Sequence, residues 1–526
     1  MKLSEGEQWV KFVEMWEALE KLREFQDPHH KLSVASSGSK GLKEVKSVVE
    51  YDYKSALVEL LKWLRKKGAK IDGAVPVLDE RPRKANSTKP PKYKPVLSIA
   101  PANSIEGNGV FVTRDVPKDE TLIQVPRSLF MTTESIEDSI ILKDMLKEEL
   151  IADVGSIQLA IKLIYERYKD KSEWDPYIRA LPRTYATVYY WTLQDIERIK
   201  GTWIFRDVLK TITIAIRAYY EAYLAVYVHE MMRKSLFTYD TFIWALSAVY
   251  SRQNMVPSLD TINSPEYQAL ISIINKRQEL EKQGKNDPEL EKQAAQIKLP
   301  EAKSVLALIP GFDMFNHQPG PGTSDFVFEG NQLVLKSAKP LQQGEQAYMS
   351  YGERPNAELL LQQGFVPDSN PTDHLLFYMS LAAHDSLREK KVEALKSVGF
   401  VFEDSGLAAL PLIVSNIAPA TLLFMRVLSC NDAALLTTEA LKTSLLSRKP
   451  LQASTEHTAR NYYKLKCQQL LNTLPENIDK LEKEARQLVP ANDEQQISRS
   501  ISLFLVSQHK LISSNMALID GLPASQ

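Results

Sequence analysis

Apolar residues near the start of the chain recur at helical spacing, with Trp9, Phe12, Val13, Trp16 and Leu19 on one face of a helix predicted over residues 6–26. That aromatic face is read as packing. Ala56, Leu57, Leu60, Leu61 and Leu64 predict a second helix, closed by Lys66-Lys67-Gly68. Strand-type runs follow at Gly109–Thr113 and Thr121–Val125, separated by a polar turn at residues 114–118. Helical spacing returns from about Ser135 to Tyr250, through Ile157, Ile161 and Ile164, then Ile212, Ala215 and Tyr219, then Phe242, Ala245, Leu246 and Val249. Residues 274–303 alternate charge signs with few large apolar side chains, the pattern of a solvent-facing helical excursion. Strands reappear at Ala307–Pro310, in a hairpin of Phe326–Phe328 and Leu333–Leu335 about the turn 329–332, and at Gln346–Ser350. From about Pro371 to the end the spacing is helical again.

This order predicts an α+β fold: a small β-rich unit split by a large helical insertion and followed by an all-α C-terminal region. The expected divisions are an N-terminal helix 1–26, the first part of the β-rich unit 27–134, the insertion 135–303, the second part 304–366 and the helical region 367–526. Residues 79–97 combine prolines and lysines with few apolar side chains, as a solvated loop does. The stretch Ser405–Met425 carries no charge and is long enough to span a bilayer, but Pro411 and Pro419 would break a helix that lipid could not satisfy. A buried segment is the reading there. Met1-Lys2-Leu3-Ser4-Glu5 lacks the apolar run of a secretory signal.

Composition narrows the picture further. The 526 residues are 44% hydrophobic and 25% charged, which is ordinary for a globular chain. Lys+Arg 65 against Asp+Glu 66 removes any general electrostatic case for wrapping nucleic acid. Two cysteines, Cys430 and Cys467, cannot build a disulfide framework or complete a cysteine-based zinc site, so a reducing compartment is expected. The expectation is a cytoplasmic protein, with nuclear access left open, no membrane or nucleic-acid partner, and a monomer.

Familiar catalytic signatures fail. Glu106-Gly107-Asn108-Gly109 resembles half of a dinucleotide loop, but Val112 stands where a further glycine is needed and a strand pattern follows. There is no Gly-Lys-Ser/Thr loop, no Gly-x-Ser-x-Gly elbow and no HExxH pair among the eight histidines, so no metal is expected. What stands out is Gly311-Phe312-Asp313-Met314-Phe315-Asn316-His317 after a short apolar strand. It is followed by Ser350-Tyr351-Gly352-Glu353-Arg354-Pro355-Asn356-Ala357-Glu358, with Arg252-Gln253-Asn254 upstream.

Here the chain resembles the SET-domain protein methyltransferases, with an Asn-His pair and a downstream tyrosine in the family's order and spacing. It is similar to the subgroup with a split SET core and a C-terminal helical substrate-binding domain, shared by the rubisco lysine methyltransferases and the actin histidine methyltransferase. Trp174–Pro182, Phe237-Thr238-Tyr239 and Ser251-Arg252-Gln253-Asn254 look most like the actin histidine enzyme. The resemblance implies S-adenosylmethionine as cofactor, held by Glu106, Gly107, Asn108, Arg252, Asp313, Asn316, His317, Gln363 and Phe365. It also implies a catalytic hydroxyl on Tyr351, and Asn254, Phe312 and Arg354 at the substrate, Asn254 sharing in catalysis by orienting the acceptor.

Methyl transfer needs a neutral nitrogen lone pair aimed at a sulfonium carbon, which makes orientation the protein's main task. Lysine, with a reference pKa near 10.4, must first lose a proton, whereas histidine near 6.5 is largely neutral at cytosolic pH. Histidine needs instead one ring nitrogen held so that the other attacks, a task suited to a side-chain amide such as Asn254. An aromatic Phe312 shortens the pocket in favour of a flat ring. The expectation is therefore methylation of an actin histidine at the tele nitrogen. The alternatives are a protein-lysine N-methyltransferase and a catalytically silent SET-fold binding module, the latter motivated by Asn108 in the place of an aromatic residue, by the absence of an arginine that the family uses before the first strand, and by Phe312 in the place of a tryptophan.

Overall fold

The computed structural model describes residues 4–35, 53–71, 97–103, 107–134, 143, 145, 147–229, 236–282, 287–297, 303–320 and 322–522. The expected loop before residue 97 lies outside the described residues. The chain divides into two compact units, one formed by Met1–Tyr185 with Ile212–Tyr351, the other by Ala186–Thr211 with Gly352–Gln526.

The first unit is built on a mixed sheet. Its strands are β1 (Leu97–Asn103), β2 (Gly107–Val112), β3 (Thr121–Pro126), β4 (Met131–Thr132), β5 (Asn254–Pro257), β6 (Ser304–Leu308), β7 (Asn316–His317), β8 (Ser324–Phe328), β9 (Gln332–Ser337) and β10 (Gln346–Met349). The larger sheet runs β1-β2-β10-β8-β9-β3 with β7 also beside β10, and β4, β6 and β5 form a second, three-stranded sheet. The expected hairpin is present as β8 and β9, paired antiparallel with Phe326 opposite Leu335. The two early predicted strands form but do not pair with each other: β2 lies between β1 and β10, and β3 pairs with β9. Leu122, Ile123 and Val125 of β3 and Leu333, Val334 and Leu335 of β9 are buried, and each such side chain contributes about 1.5–3 kcal/mol of apolar burial.

In the helical insertion, the helix Gly155–Tyr168 packs against β6 of the second sheet. In the helices Gly155–Tyr168 and Tyr239–Arg252 the predicted apolar faces are the buried ones, with Ile157, Ile161 and Ile164 on one and Phe242, Ala245, Leu246 and Val249 on the other. Thr238 caps the second helix by accepting from the Thr241 amide, a standard use of a threonine hydroxyl. After β6 the chain must turn sharply. Gly311 takes φ +86°, and a Cβ there would lie 2.8 Å from Leu64 Cδ1, so both the backbone angle and the space require glycine.

The second unit is mainly helical. Its longest helix, Asp493–Asp520, is capped by Asn492 and buries Ile497, Ile501, Phe504, Leu505, Leu511 and Ile512. The expectation of an all-α C-terminal region is corrected in one respect, because β11 (His374–Met379) and β12 (Ala408–Ile413) pair antiparallel over their full length. Short apolar runs of this kind do not distinguish a strand from a buried helical turn. The uncharged stretch after Ser405 thus becomes β12 and then the helix Pro419–Ser429, with Pro419 in the first turn, where its missing N–H costs nothing. No helix among the described residues is long and apolar enough to cross a membrane. Inside this unit Arg426 donates to both oxygens of Glu456 at 2.8 Å, to the carbonyls of Arg448 and Lys449, and to Ser444 Oγ. All five guanidinium N–H groups are thereby used.

Candidate active site

The first unit brings the Asn-His and tyrosine motifs together through backbone pairing. β7 runs parallel to β10, with Asn316 opposite Tyr348 and His317 opposite Met349. Two residues further on, the Tyr351 amide donates to His317 Nδ1 at 3.0 Å, and the two rings stack at 5.0 Å. An accepting Nδ1 carries no proton, so the proton of the neutral ring sits on Nε2. The Tyr351 hydroxyl donates to the Phe315 carbonyl at 3.0 Å. The phenol is thus fixed by a stacked ring and a hydrogen bond, and its oxygen retains lone pairs able to accept.

Arg252-Gln253-Asn254 leaves the end of its helix in three fixed positions. Arg252 Nη1 donates to the Asp313 carbonyl at 2.6 Å. Gln253 Oε1 accepts from Ser156 Oγ at 2.8 Å. The Asn254 side chain folds back so that Nδ2 donates to the Arg252 carbonyl at 2.9 Å. That bond identifies the donor end of the amide and leaves its oxygen as an acceptor.

Asp313 is buried, with its side chain 1% exposed, and Arg252 Nη1 lies 3.7 Å from its Oδ2. The same oxygen accepts from the Tyr177 hydroxyl at 2.5 Å. Burial pushes the Asp313 carboxyl above its ordinary range, against the pull of Arg252 and of the Tyr177 hydrogen bond. Burial, and next the neighbouring Asp313 charge, push the Tyr177 phenol well above its own range. Tyr177 therefore remains a donor. Sequence reasoning missed this residue, although the Trp174–Pro182 segment that carries it was singled out.

Phe312 is fully buried and meets Phe326 edge to face at 5.2 Å, while Phe326 is itself exposed. Gly107 and Asn108 open β2, opposite Asn103 and Pro101 of β1, across a register shift. Glu106 lies outside the described residues. Among the described residues, Asn316 Nδ2 and Gln318 Oε1 are buried without a hydrogen-bond partner. Buried polar atoms of this kind cost about 1–3 kcal/mol each when left unsatisfied, so these two are available to a polar ligand.

The remaining expected residues belong to the second unit. Arg354 Nη1 donates to Glu358 Oε1 and, at 3.0 Å, to Gln362 Oε1. Gln363 ends the π-helical turn Leu359–Gln363, and Phe365 is half-buried just beyond Gly364. The same unit holds a cavity of about 830 Å³, with Asn356, Asn370 and Asp373 on its polar side and Leu503, Val506 and Leu518 on its apolar side. Asp373 accepts from the backbone and side-chain N–H groups of Asn356, both at 2.8 Å, and burial pushes its carboxyl up to about 6. Among the described residues no cluster of histidine, cysteine and carboxylate side chains could hold a metal ion.

Residues 107–352, a span that holds most of the split β-rich unit, match the model of the SET domain. Among curated proteins it is similar to the actin-histidine N-methyltransferase of Gallus gallus, 27% identical over 82% of this chain and 59% of that protein. The Homo sapiens protein of the same name is also 27% identical, over 84% of this chain and 60% of its own length. The chain thus spans about 60% of the length of the curated relatives it matches. Among solved structures, the SET domain of LSMT bound to lysine and AdoHcy superimposes with a TM-score of 0.60 at 17% identity, over 89% of this chain and 91% of that one. Rubisco LSMT bound to AdoMet gives a TM-score of 0.57 at 19% identity, over 89% of this chain and 93% of that one.

Proposed function

We propose that the protein is an S-adenosylmethionine-dependent protein methyltransferase that methylates a histidine of actin at the tele nitrogen. The observation that carries this reading is the fixed Asn254 amide. Nδ2 donates to the Arg252 carbonyl, which leaves the other amide atom, the oxygen, as the acceptor. An imidazole that donates its Nπ–H to this oxygen keeps its proton there and leaves the Nτ lone pair for attack. A lysine amine has no second nitrogen to be held in this way.

When bound, the cofactor supplies an electrophilic methyl group on a sulfonium centre. The buried, unpartnered Asn316 Nδ2 and Gln318 Oε1 fit a polar ligand of this kind. Asn316, His317, Arg252 and Asp313 would hold it, together with Glu106, Gly107, Asn108, Gln363 and Phe365. Tyr351, whose hydroxyl hydrogen is engaged by Phe315, offers its oxygen to the positive charge that develops around the reacting nitrogen. Phe312 would limit the depth of the pocket to a flat ring, and Arg354 would meet the peptide. The methylated imidazole then gives up its Nπ proton to water, so no strong base is required. Relatives named actin-histidine N-methyltransferase support the same substrate, and action in the cytoplasm by a single chain is part of this reading.

The test is incubation with actin and isotopically labelled S-adenosylmethionine, followed by mass spectrometry and separation of the two methylhistidine isomers. Label on histidine Nτ is expected. Label on lysine, or no label on actin, overturns the substrate assignment.

A further inference from the structure

We infer that Tyr177 is a positioning residue for the cofactor site, holding the Asp313 side chain in place through its hydroxyl so that Arg252 stays on the Asp313 backbone. The inference rests on the proposed function. Tyr177 lies in the helix Asp175–Ala180 and is fully buried, so it can touch neither substrate nor solvent. A phenylalanine would fill the same volume. What the hydroxyl adds is its 2.5 Å bond to Asp313 Oδ2.

That bond matters because of where Arg252 is. Its Nη1 is 3.7 Å from Asp313 Oδ2, beyond hydrogen-bond length, and is directed at the Asp313 carbonyl at 2.6 Å instead. The carboxylate oxygen is thus held by a phenol, with the guanidinium close by but bonded elsewhere. Without the phenol, Asp313 satisfies that oxygen by binding a proton at higher pH than before, which removes the negative charge beside the guanidinium. That change disturbs the run Asp313–His317, which carries Asn316 and the histidine stacked on Tyr351. The hydroxyl thereby ties the helical insertion to a turn 136 positions further along the chain.

The groups facing the Asp313 carboxyl are Arg252 from the helix Tyr239–Arg252, Tyr177 with Tyr185 behind it, and the Gly311 and Asp313 amides of its own turn. The Tyr177 hydrogen bond favours the ionised carboxyl, so removing it raises the pH at which Asp313 takes up a proton. A merely structural tyrosine has no such signature.

The experiment is calorimetric S-adenosylmethionine binding by the full chain across about pH 5.5–8.5, for wild type, Tyr177→Phe, Asp313→Asn and the double variant. Tyr177→Phe is expected to move the acid limb of binding to higher pH, weakening affinity about fivefold on that limb and converging on wild type at the alkaline end. In the Asp313→Asn background the hydroxyl should no longer matter. A pH-independent loss, or no change, in Tyr177→Phe overturns the inference. Should Tyr177→Phe fail to fold by thermal melting, Asp313→Asn alone decides: a wild-type acid limb there also overturns it. Absence of binding by wild type defeats the proposed function itself, a result distinct from the others.

Discussion

Two arginines, one buried and one half-buried, show how differently the same side chain is used in the two units. Arg426 in the helical unit meets Glu456 face to face and spends every remaining N–H on Ser444 and two carbonyls. Arg252 in the first unit stands 3.7 Å from the nearer oxygen of its carboxylate, in a region where Asn316 and Gln318 hold buried polar atoms without a partner among the described residues. A closed network completes its own hydrogen bonds and marks structure. An open one, costly to leave unfilled, marks a site built to be completed from outside.

Three measurements can break or sharpen that contrast. The largest effect is expected from Arg426→Met, which leaves buried Glu456 to the longer contact with Arg460 at 3.4 Å and should cost about 3 kcal/mol in urea unfolding. A loss under about 1 kcal/mol would mean that the closed network is dispensable. Asp373 comes next. Its carboxyl is raised to about 6, so the stability it contributes is present below the ordinary carboxylate range and is lost as pH rises through about 6. Relative to wild type, Asp373→Asn should therefore gain about 2 kcal/mol between about pH 4 and pH 7, read from paired denaturation curves. The opposite slope would show that the cavity-side cluster favours the charged form. The smallest effect belongs to the open network. Asn316→Ala removes a buried donor that has no partner among the described residues, so the unfolding midpoint should hardly move while S-adenosylmethionine binding weakens about tenfold, or about 1.4 kcal/mol. Loss of stability without loss of binding would assign Asn316 to structure.

The sequence made these elements legible to unequal degrees. Helices with a long apolar period, such as Tyr239–Arg252, and the hairpin about Gly330 follow from local pattern, and both are where the pattern puts them. The short strands are harder. β12 contains Pro411, which argues against a central strand but is tolerated in a two-stranded pair, and β11 is an apolar run equally suited to a buried helix. The Asn-His and tyrosine motifs were readable through their spacing and family resemblance. The Tyr177 bond to Asp313 was not, because it depends on a partner that only tertiary packing supplies, and the local bond from Asn254 to the Arg252 carbonyl depends on a side-chain rotamer that the pattern does not set.

The pairing of β2 with β10 carries a last consequence, for how the molecule is made. Phe111 is matched with Gln346, and the whole helical insertion lies between them in the chain. On the ribosome, β1 and β2 emerge long before their third neighbour, leaving an open strand margin exposed until residues near 346 have been synthesised. Closure through so distant a contact is slow, so this sheet is completed late in synthesis.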